Sequence, residues 1–373
     1  MANSPPKVVP VKDAKQIEEF IKFPFQLYKE DPYWVPPLLK ERRDFFNPNK
    51  NPFFDEAKVQ LFLAKQENKV LGRIAAIVNY NYIKFHQEEA GFFGFFETNP
   101  NYEIAKALFD AVRDWLKEEG MESIQGPVNF STNHECGLLV EGFNFSPAIM
   151  MPYNPKYYSD YLERYGFTKA KDLLAYILDF NNPSAKRQNL AKKVRKKRKI
   201  TIRSINLRNF KNEVEKIKKI YNNAWQKNWG FVPMTDREFW WMAENLKKVV
   251  VPELCLLAEV EGETVGFSLN LPDINQALKK VKGRLFPWGI LKLFYYSRKI
   301  KLLRGLTFGI IEKYRKLGID LLLQEEIRKT ALQMGYLREE ISWVLEDNKL
   351  VNRTLTRAGA RVYKKYRIYK MEI

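Results

Sequence analysis

Few side chains in this sequence can move a proton, and they fall in a few short stretches. Only two histidines occur, His86 and His134. His134 sits in "NHECG" (Asn133–Gly137) beside Glu135, among small and polar residues, and an imidazole has the right pKa for a base near neutrality. "EEISWVLE" carries Glu340 and Glu346 on either side of Trp343. In a strand, residues 340, 342, 344 and 346 share one face, so both carboxylates point to one cleft, or one lies exposed at the strand end. These groups suit general acid–base chemistry. Two histidines cannot make a histidine-rich metal site, and Cys136 and Cys255 lack ligand spacing, so no metal is expected.

A second stretch suits anions. In "EKYRKLGIDLLLQEEIRKTALQMGY" (Glu312–Tyr336), Gly318 follows Lys313, Arg315 and Lys316 and opens an amphipathic helical run. Free amides of a first helical turn, with the helix dipole behind them, bind phosphate. A glycine there lets phosphate oxygens approach the backbone closely.

The elements that must position these groups repeat. "LFLAKQENKVLGRIAAIV" (Leu61–Val78) and "CLLAEVEGETVGFSLNL" (Cys255–Leu271) both read as hairpins, with Ala64 to Gly72 spaced like Ala258 to Gly266. Helical segments precede each hairpin. After each come a strand, an amphipathic helix ending at Gly120 or Gly335, a strand, and a helix ending at Gly166 or Gly359. The order in each half is α-α-β-β-β-α-β-α-β. We therefore expect an α/β chain of two modules, 7–180 and 205–373, joined by a basic linker at 181–204. Two insertions, Gly126–Pro152 and Asp273–Arg304, break the symmetry.

Charge is segregated between the halves. Residues 1–180 hold 21 Lys+Arg against 25 Asp+Glu, and residues 181–373 hold 42 against 19. The second half is therefore expected to meet an anionic partner. The composition is that of a folded chain, with no apolar run of membrane-spanning length and no apolar leader, which predicts a cytoplasmic location.

"YRKLGID" resembles the acyl-CoA loop of the Gcn5-related N-acetyltransferase (GNAT) superfamily, and the element order is that superfamily's order. The resemblance covers Phe210 to the C-terminus well and Lys12–Phe180 in degenerate form. It implies two tandem GNAT-like modules, each a mixed, mostly antiparallel sheet flanked by helices. It also implies acyl transfer from acetyl-CoA or a longer acyl-CoA to an amine lying between the modules. By the same resemblance, Arg315, Lys316, Leu317, Gly318, Ile319 and Asp320 form the pyrophosphate loop. Gly309, Ile310 and Ile311 end a splayed strand whose backbone amide polarises the carbonyl. Asn348 contacts pantetheine or the loop, although helix capping explains it equally. Asp320 departs from the family's Gly or Ala. Leu355 stands where a tyrosine acid is usual, which brings Tyr363 and Tyr366 forward as substitute acids, with a place as strand aromatics the other reading. For the base, His134 with Glu135, or Glu340 and Glu346, are the candidates. The corresponding turn of the first half, "FETNPNYEIAKALF", has no glycine and carries Glu97 and Glu103, so that half is expected not to bind CoA.

"KKVKGRLFPWGILKLFYYSRKIKLLRG" (Lys279–Gly305) has nine basic residues and no acid, interleaved with aromatic and aliphatic ones. It reads as an element at an anionic membrane surface, a lid over an acyl chain, a partner surface or a packed insertion; no specific nucleic acid is expected. "GPVN", "GFNFSP", "YNPKYY" and "KGRLFPWG" resemble a bacterial GNAT subgroup that includes ceramide synthesis, implying a lipid amine. The alternative is a non-catalytic GNAT-like protein that binds anionic lipid or RNA.

Overall fold

The computed structural model describes residues 6–182, 184–197, 199–284 and 287–373. Pro183 and Arg198 of the expected linker, and Leu285 and Phe286 of "KGRLFPWG", lie outside the described residues.

The first half opens with β1 (Lys7–Pro10), α1 (Ala14–Leu27) and α2 (Leu39–Phe45). The hairpin β2 (Ala57–Gln66) and β3 (Lys69–Asn79) follows, then α3 (Tyr80–His86), β4 (Ala90–Thr98) and α4 (Tyr102–Glu118). It closes with β5 (Ser123–Gly126), β6 (Leu138–Glu141), α5 (Tyr157–Tyr165) and β7 (Thr168–Asp179). The second half opens with α6 (Ala185–Lys197), β8 (Ile200–Ser204), α7 (Phe210–Trp225) and α8 (Asp236–Lys247). Its hairpin is β9 (Cys255–Val260) and β10 (Glu263–Pro272), followed by the inserted α9 (Asn275–Val281) and α10 (Gly289–Ser297). Then come β11 (Leu302–Ile310), α11 (Ile319–Gln333), β12 (Arg338–Leu345), α12 (Lys349–Arg357) and β13 (Arg361–Glu372).

The repeat extends to register. Ala64 pairs with Gly72 and Ala258 with Gly266, each beside a bulge, and the turns place Glu67 and Glu261 at positive φ. Helix ends follow local chemistry. Thr235 and Glu238 make a capping box on α8, Asn101 caps α4, and Gly120 and Gly335 stop α4 and α11 at positive φ.

The segment 181–204, expected to be a linker, instead carries α6 and the edge strand β8. Ile200–Ser204 pairs along β9, and α6 lies on α11 through Arg187–Gln324 and Arg195–Glu326. Lys186, Lys192, Lys193, Arg195 and Lys196 face water while Ala191 and Val194 meet the core of the second half, so a basic run still has an inner face.

All strands join one mixed sheet in the order β1-β2-β3-β4-β5-β13-β7-β12-β11-β10-β9-β8, with β6 on β13. The final strands are exchanged: β13 lies between β5 and β7 of the first half, and β7 pairs with β12 of the second. One core accordingly draws Leu63, Phe130 and Leu173 together with Leu345, Tyr366 and Ile368. In each half a parallel pair then parts. β4 follows β5 only over Ala90–Phe92, and β11 follows β12 only over Leu302–Gly305. Among the described residues no helix is long and apolar enough to cross a membrane.

Candidate functional site

The two openings have different fates. In the first half, the segment after β5 fills the gap. Val128 donates its N–H to Phe93 O at 2.8 Å, Asn129 Oδ1 accepts from Phe95 N at 2.7 Å, and a Cβ at Gly94 would overlap the Val128 carbonyl. At the end of β4, Thr98 N donates to Tyr158 OH at 2.7 Å and Tyr157 OH to Thr98 O at 2.9 Å. Glu97 is enclosed by Tyr28, Tyr158 and Arg73, and burial pushes its carboxyl up to about 7. Protein groups fill this cleft.

In the second half the gap opens onto a groove of about 150 Å³. α7 and α8 supply an apolar wall, including Val214, Ile217, Phe239, Met242 and Leu246, and β9 to β11 supply the floor, including Phe267, Leu269 and Leu306. The first half closes one side. Thr132 Oγ1 donates to Gly230 O at 2.5 Å, Asn133 Nδ2 to Val232 O at 2.9 Å, and Tyr221 OH to Asn133 Oδ1 at 2.8 Å. The segment that plugs the first opening thus carries Thr132, Asn133 and His134 into the second.

Where β11 leaves β12, its pairing with β10 skips a residue. Asn270 faces Gly305 and Leu269 faces Thr307, which leaves Leu306 as the extra residue. The strand irregularity is therefore at Leu306, not at Gly309 and Ile310. Gly309 serves packing, since a Cβ there would lie 2.8 Å from Phe267 and 3.3 Å from Ile220. The Ile310 carbonyl accepts from Arg315 Nε at 3.3 Å, and the Ile311 N–H bonds Val265 O at 2.9 Å. The Thr307 hydroxyl, by contrast, is buried with no protein partner and lines the groove. A buried hydroxyl left unmade costs about 1–3 kcal/mol, a cost that a bound ligand would remove.

Behind this point lies a buried charged cluster. Arg304, at the groove wall, donates to Ser342 Oγ at 3.2 Å, to Ser342 O at 3.3 Å and to the Ile149 carbonyl. Ser342 donates to Glu340 at 2.6 Å, Tyr363 OH also donates to Glu340, and Lys364 Nζ lies 3.9 Å from it. Lys364 donates to Ser146 O at 2.6 Å, and Asp273 accepts from Ile149 N at 2.8 Å. Burial holds the Lys364 and Arg304 pKa values down, and burial with Glu340 nearby pushes Asp273 up to about 6.

These positions revise several expectations. Glu340 and Glu346 do not share a cleft. The β12 register shifts between Ile341 and Val344, which breaks the alternation, and Glu346 instead binds Lys169 at 2.6 Å and the Asp172 amide at 3.0 Å. Glu340 is fully buried behind Ser342 and outside the groove lining, and Tyr363 is its hydrogen-bond donor. His134 and Glu135 diverge: His134 lines the groove with Nδ1 3.0 Å from Ser131 Oγ, while Glu135 turns to Arg42 at 2.6 Å. Burial would raise the Glu135 pKa, but Arg42 and Asn129 hold it below the usual carboxylate range. Burial pushes the His134 imidazole down to about 4, so it is neutral at pH 7.

The phosphate-loop candidates are arranged as follows. Gly318 stands at the N-cap of α11 with φ of 83° and no side-chain cap, and Leu322 makes a helical bond back to Gly318 O at 3.1 Å. The amides of Ile319, Asp320 and Leu321 thus form the open end of the helix, beside Lys313, Arg315 and Lys316. This end fits a diphosphate in charge and donors, with Asp320 opposing. The glycine itself has a further cause: a Cβ at 318 would lie 3.1 Å from both Val194 methyls of α6. The Arg315 guanidinium donates to Ile310 O and Ala224 O, Lys316 is exposed at φ of 68°, and Leu317 and Ile319 pack in the core. Asn348 caps α12 by accepting from Val351 N at 3.3 Å, and Leu355 is buried.

Sequence reasoning passed over Arg304, Thr307, Tyr221 and Ser342. A lone arginine inside the apolar strand "LLRGL" was the available signal for the first.

No family model matches the chain. Over 375 residues it is 34% identical to the bacterial ceramide synthase of Caulobacter vibrioides, covering 99% of this chain and 98% of that one. Over 367 residues it is 36% identical to protein YghO of Escherichia coli K12, covering 96% and 93%. A solved tandem GNAT protein from the clavulanic acid biosynthesis pathway superposes with a TM-score of 0.56 over 98% of each chain at 10% identity, a likeness of fold alone.

Proposed function

The chain belongs to the family of the bacterial ceramide synthase and protein YghO, on a tandem GNAT frame, and from this premise we propose an acyl-CoA-dependent N-acyltransferase acting on a lipid amine. The observation that carries this reading is the apolar groove of the second half. It ends in polar groups where β11 and β12 part, and the matching opening of the first half is plugged.

Bound acyl-CoA would supply an activated carbonyl and a thiolate leaving group. The α11 N-terminus with Lys313, Arg315 and Lys316 would hold its phosphates. At the strand irregularity, the unpartnered Thr307 hydroxyl would donate to the developing oxyanion, and Arg304 would add positive charge from the wall. His134, neutral at pH 7, accepts a hydrogen bond from the amine and orients it. Its low basicity suits it to the proton shed after C–N bond formation rather than to a free ammonium ion. The apolar wall of α7 and α8 shelters the amine's hydrocarbon chain.

The test is thiol release and product mass spectrometry with the full chain, long-chain acyl-CoA and either a long-chain or a short soluble amine. The proposal expects turnover that depends on the long-chain amine. CoA binding without transfer to any amine would replace this reading with the non-catalytic one.

A further inference from the structure

Outside the groove, the largest unexplained feature is the α9–α10 insertion. α9 is fixed to the first half: Asn275 Nδ2 donates to Pro147 O at 2.9 Å and Lys279 Nζ to Ser146 Oγ at 2.9 Å. Gly283 closes against Phe25 and the Pro37 carbonyl, where a Cβ would lie 2.6 Å and 2.9 Å away. On this base α10 packs through Gly289, Leu293 and Tyr296 and turns Ile290, Leu291, Phe294 and Tyr295 to water. Leu291 is 62% exposed, Phe294 61%, and Trp288 just before the helix 68%. Elsewhere on the described surface, exposed large apolar residues are scattered singly or in pairs, so this cluster is distinctive.

Among the described residues none of Lys292, Arg298 and Lys299 is ion-paired to a carboxylate. Arg298 lies 4.3 Å from the Phe294 ring centroid and Lys299 4.1 Å from that of Tyr295. Apolar residues at the centre, aromatic rings beside them and uncompensated cations at the rim match an anionic lipid surface: hydrocarbon meets the side chains and phosphate meets the cations. Nucleic acid would use the charges but would leave Leu291 and Ile290 without a partner.

We infer that α10, with Trp288, is a docking element for the anionic face of a bilayer. This is independent of acyl transfer and is measured without turnover.

The probe is sedimentation of the full chain with phosphatidylglycerol vesicles or phosphatidylcholine vesicles, at low and high salt. Wild type is expected to sediment with the first, less so as salt rises, and not with the second. At about 1 kcal/mol per cation near such a surface, roughly fivefold each, Lys292→Gln/Arg298→Gln/Lys299→Gln should lower partitioning on the order of 100-fold. Leu291→Ser/Phe294→Ser, which alters only exposed side chains, should abolish it while circular dichroism stays unchanged. The inference is overturned if wild type stays in the supernatant or if either variant binds as wild type does. It is equally overturned if a single-stranded RNA is captured while vesicles are not, or if the face merely joins two copies of the chain and Leu291→Ser/Phe294→Ser only dissolves a dimer.

Discussion

Gly318 offers a test that separates packing from ligand binding. In Gly318→Ala the residue must hold φ near 83°, which costs an ordinary L-residue about 1–2 kcal/mol. Its Cβ would also press both Val194 methyls at 3.1 Å, adding roughly 0.5–1 kcal/mol because α6 must give by a few tenths of an ångström. Val194→Ala removes both methyls, at about 1 kcal/mol for a half-buried side chain. In the double variant the overlap is gone while the φ cost stays, so the two effects should fall short of additivity by roughly 0.5–1 kcal/mol. Urea denaturation of the four proteins, followed by circular dichroism, gives the cycle, and calorimetric titration with CoA gives the affinity of each. Strict additivity would remove Val194 from the face of Gly318. Unchanged stability in Gly318→Ala with CoA binding lost would make the glycine a ligand requirement alone.

Other expectations follow from the groove and its supports. With two histidines in the chain, the His134 ring resonance can be assigned by His134→Asn, and its NMR titration should have a midpoint near 4. Because that pKa is depressed in the fold, its contribution to stability is complete above about 6.5 and lost as pH falls toward 4; a midpoint above 6 would refute the burial argument. Glu135→Gln should lower stability by about 2–4 kcal/mol, since the half-enclosed Arg42 loses its counter-charge, and should leave the pH profile of any turnover in place. Thr307→Val should hold or raise stability by relieving an unmade hydrogen bond while lowering acyl transfer by about 10- to 100-fold; unchanged transfer removes Thr307 from the chemistry.

The repeat was readable in the sequence because hairpin spacing, helix stops and charge are local signals. Ala64–Gly72 and Ala258–Gly266 proved to be cross-strand partners, and Glu97 of the first half's acidic turn is enclosed by Tyr28, Tyr158 and Arg73. The edge strands were not readable: "KVVP" is short, and "ITIRS" sits inside a basic run. Site geometry was least readable. Alternation left Glu340 and Glu346 either on one cleft or with one exposed at the strand end, and the register shift in β12 buries Glu340 while Glu346 pairs with Lys169. The family pattern pointed to Gly309, yet the extra residue is Leu306, because the bulge is fixed by pairing with β10 rather than by glycine. The "NHECG" segment meets the second half through Asn133 and lines the groove with His134, and Thr132 just before it adds a further contact.

The exchanged strands make a last expectation. The repeat invites expressing 205–373 alone as the binding half, but topology argues against it. β13 has β5 and β6 on one side and β7 on the other, all from the first half, and β12 also borders β7. Cutting the chain at the repeat boundary therefore bares β12 and both sides of β13, and uncovers Tyr366, Ile368 and Tyr369, none of which is exposed in the full chain. At about 1.5–3 kcal/mol for each large side chain, that loss approaches the 5–15 kcal/mol that holds a typical domain together. The bare edges also invite aggregation. The fragment should be insoluble alone and be rescued by co-expression with 1–204, which returns β5, β7 and β8 together with the Thr132–His134 wall of the groove. If 205–373 alone were a soluble monomer with cooperative unfolding and full CoA affinity, the exchanged pairing would not be what holds the second half together.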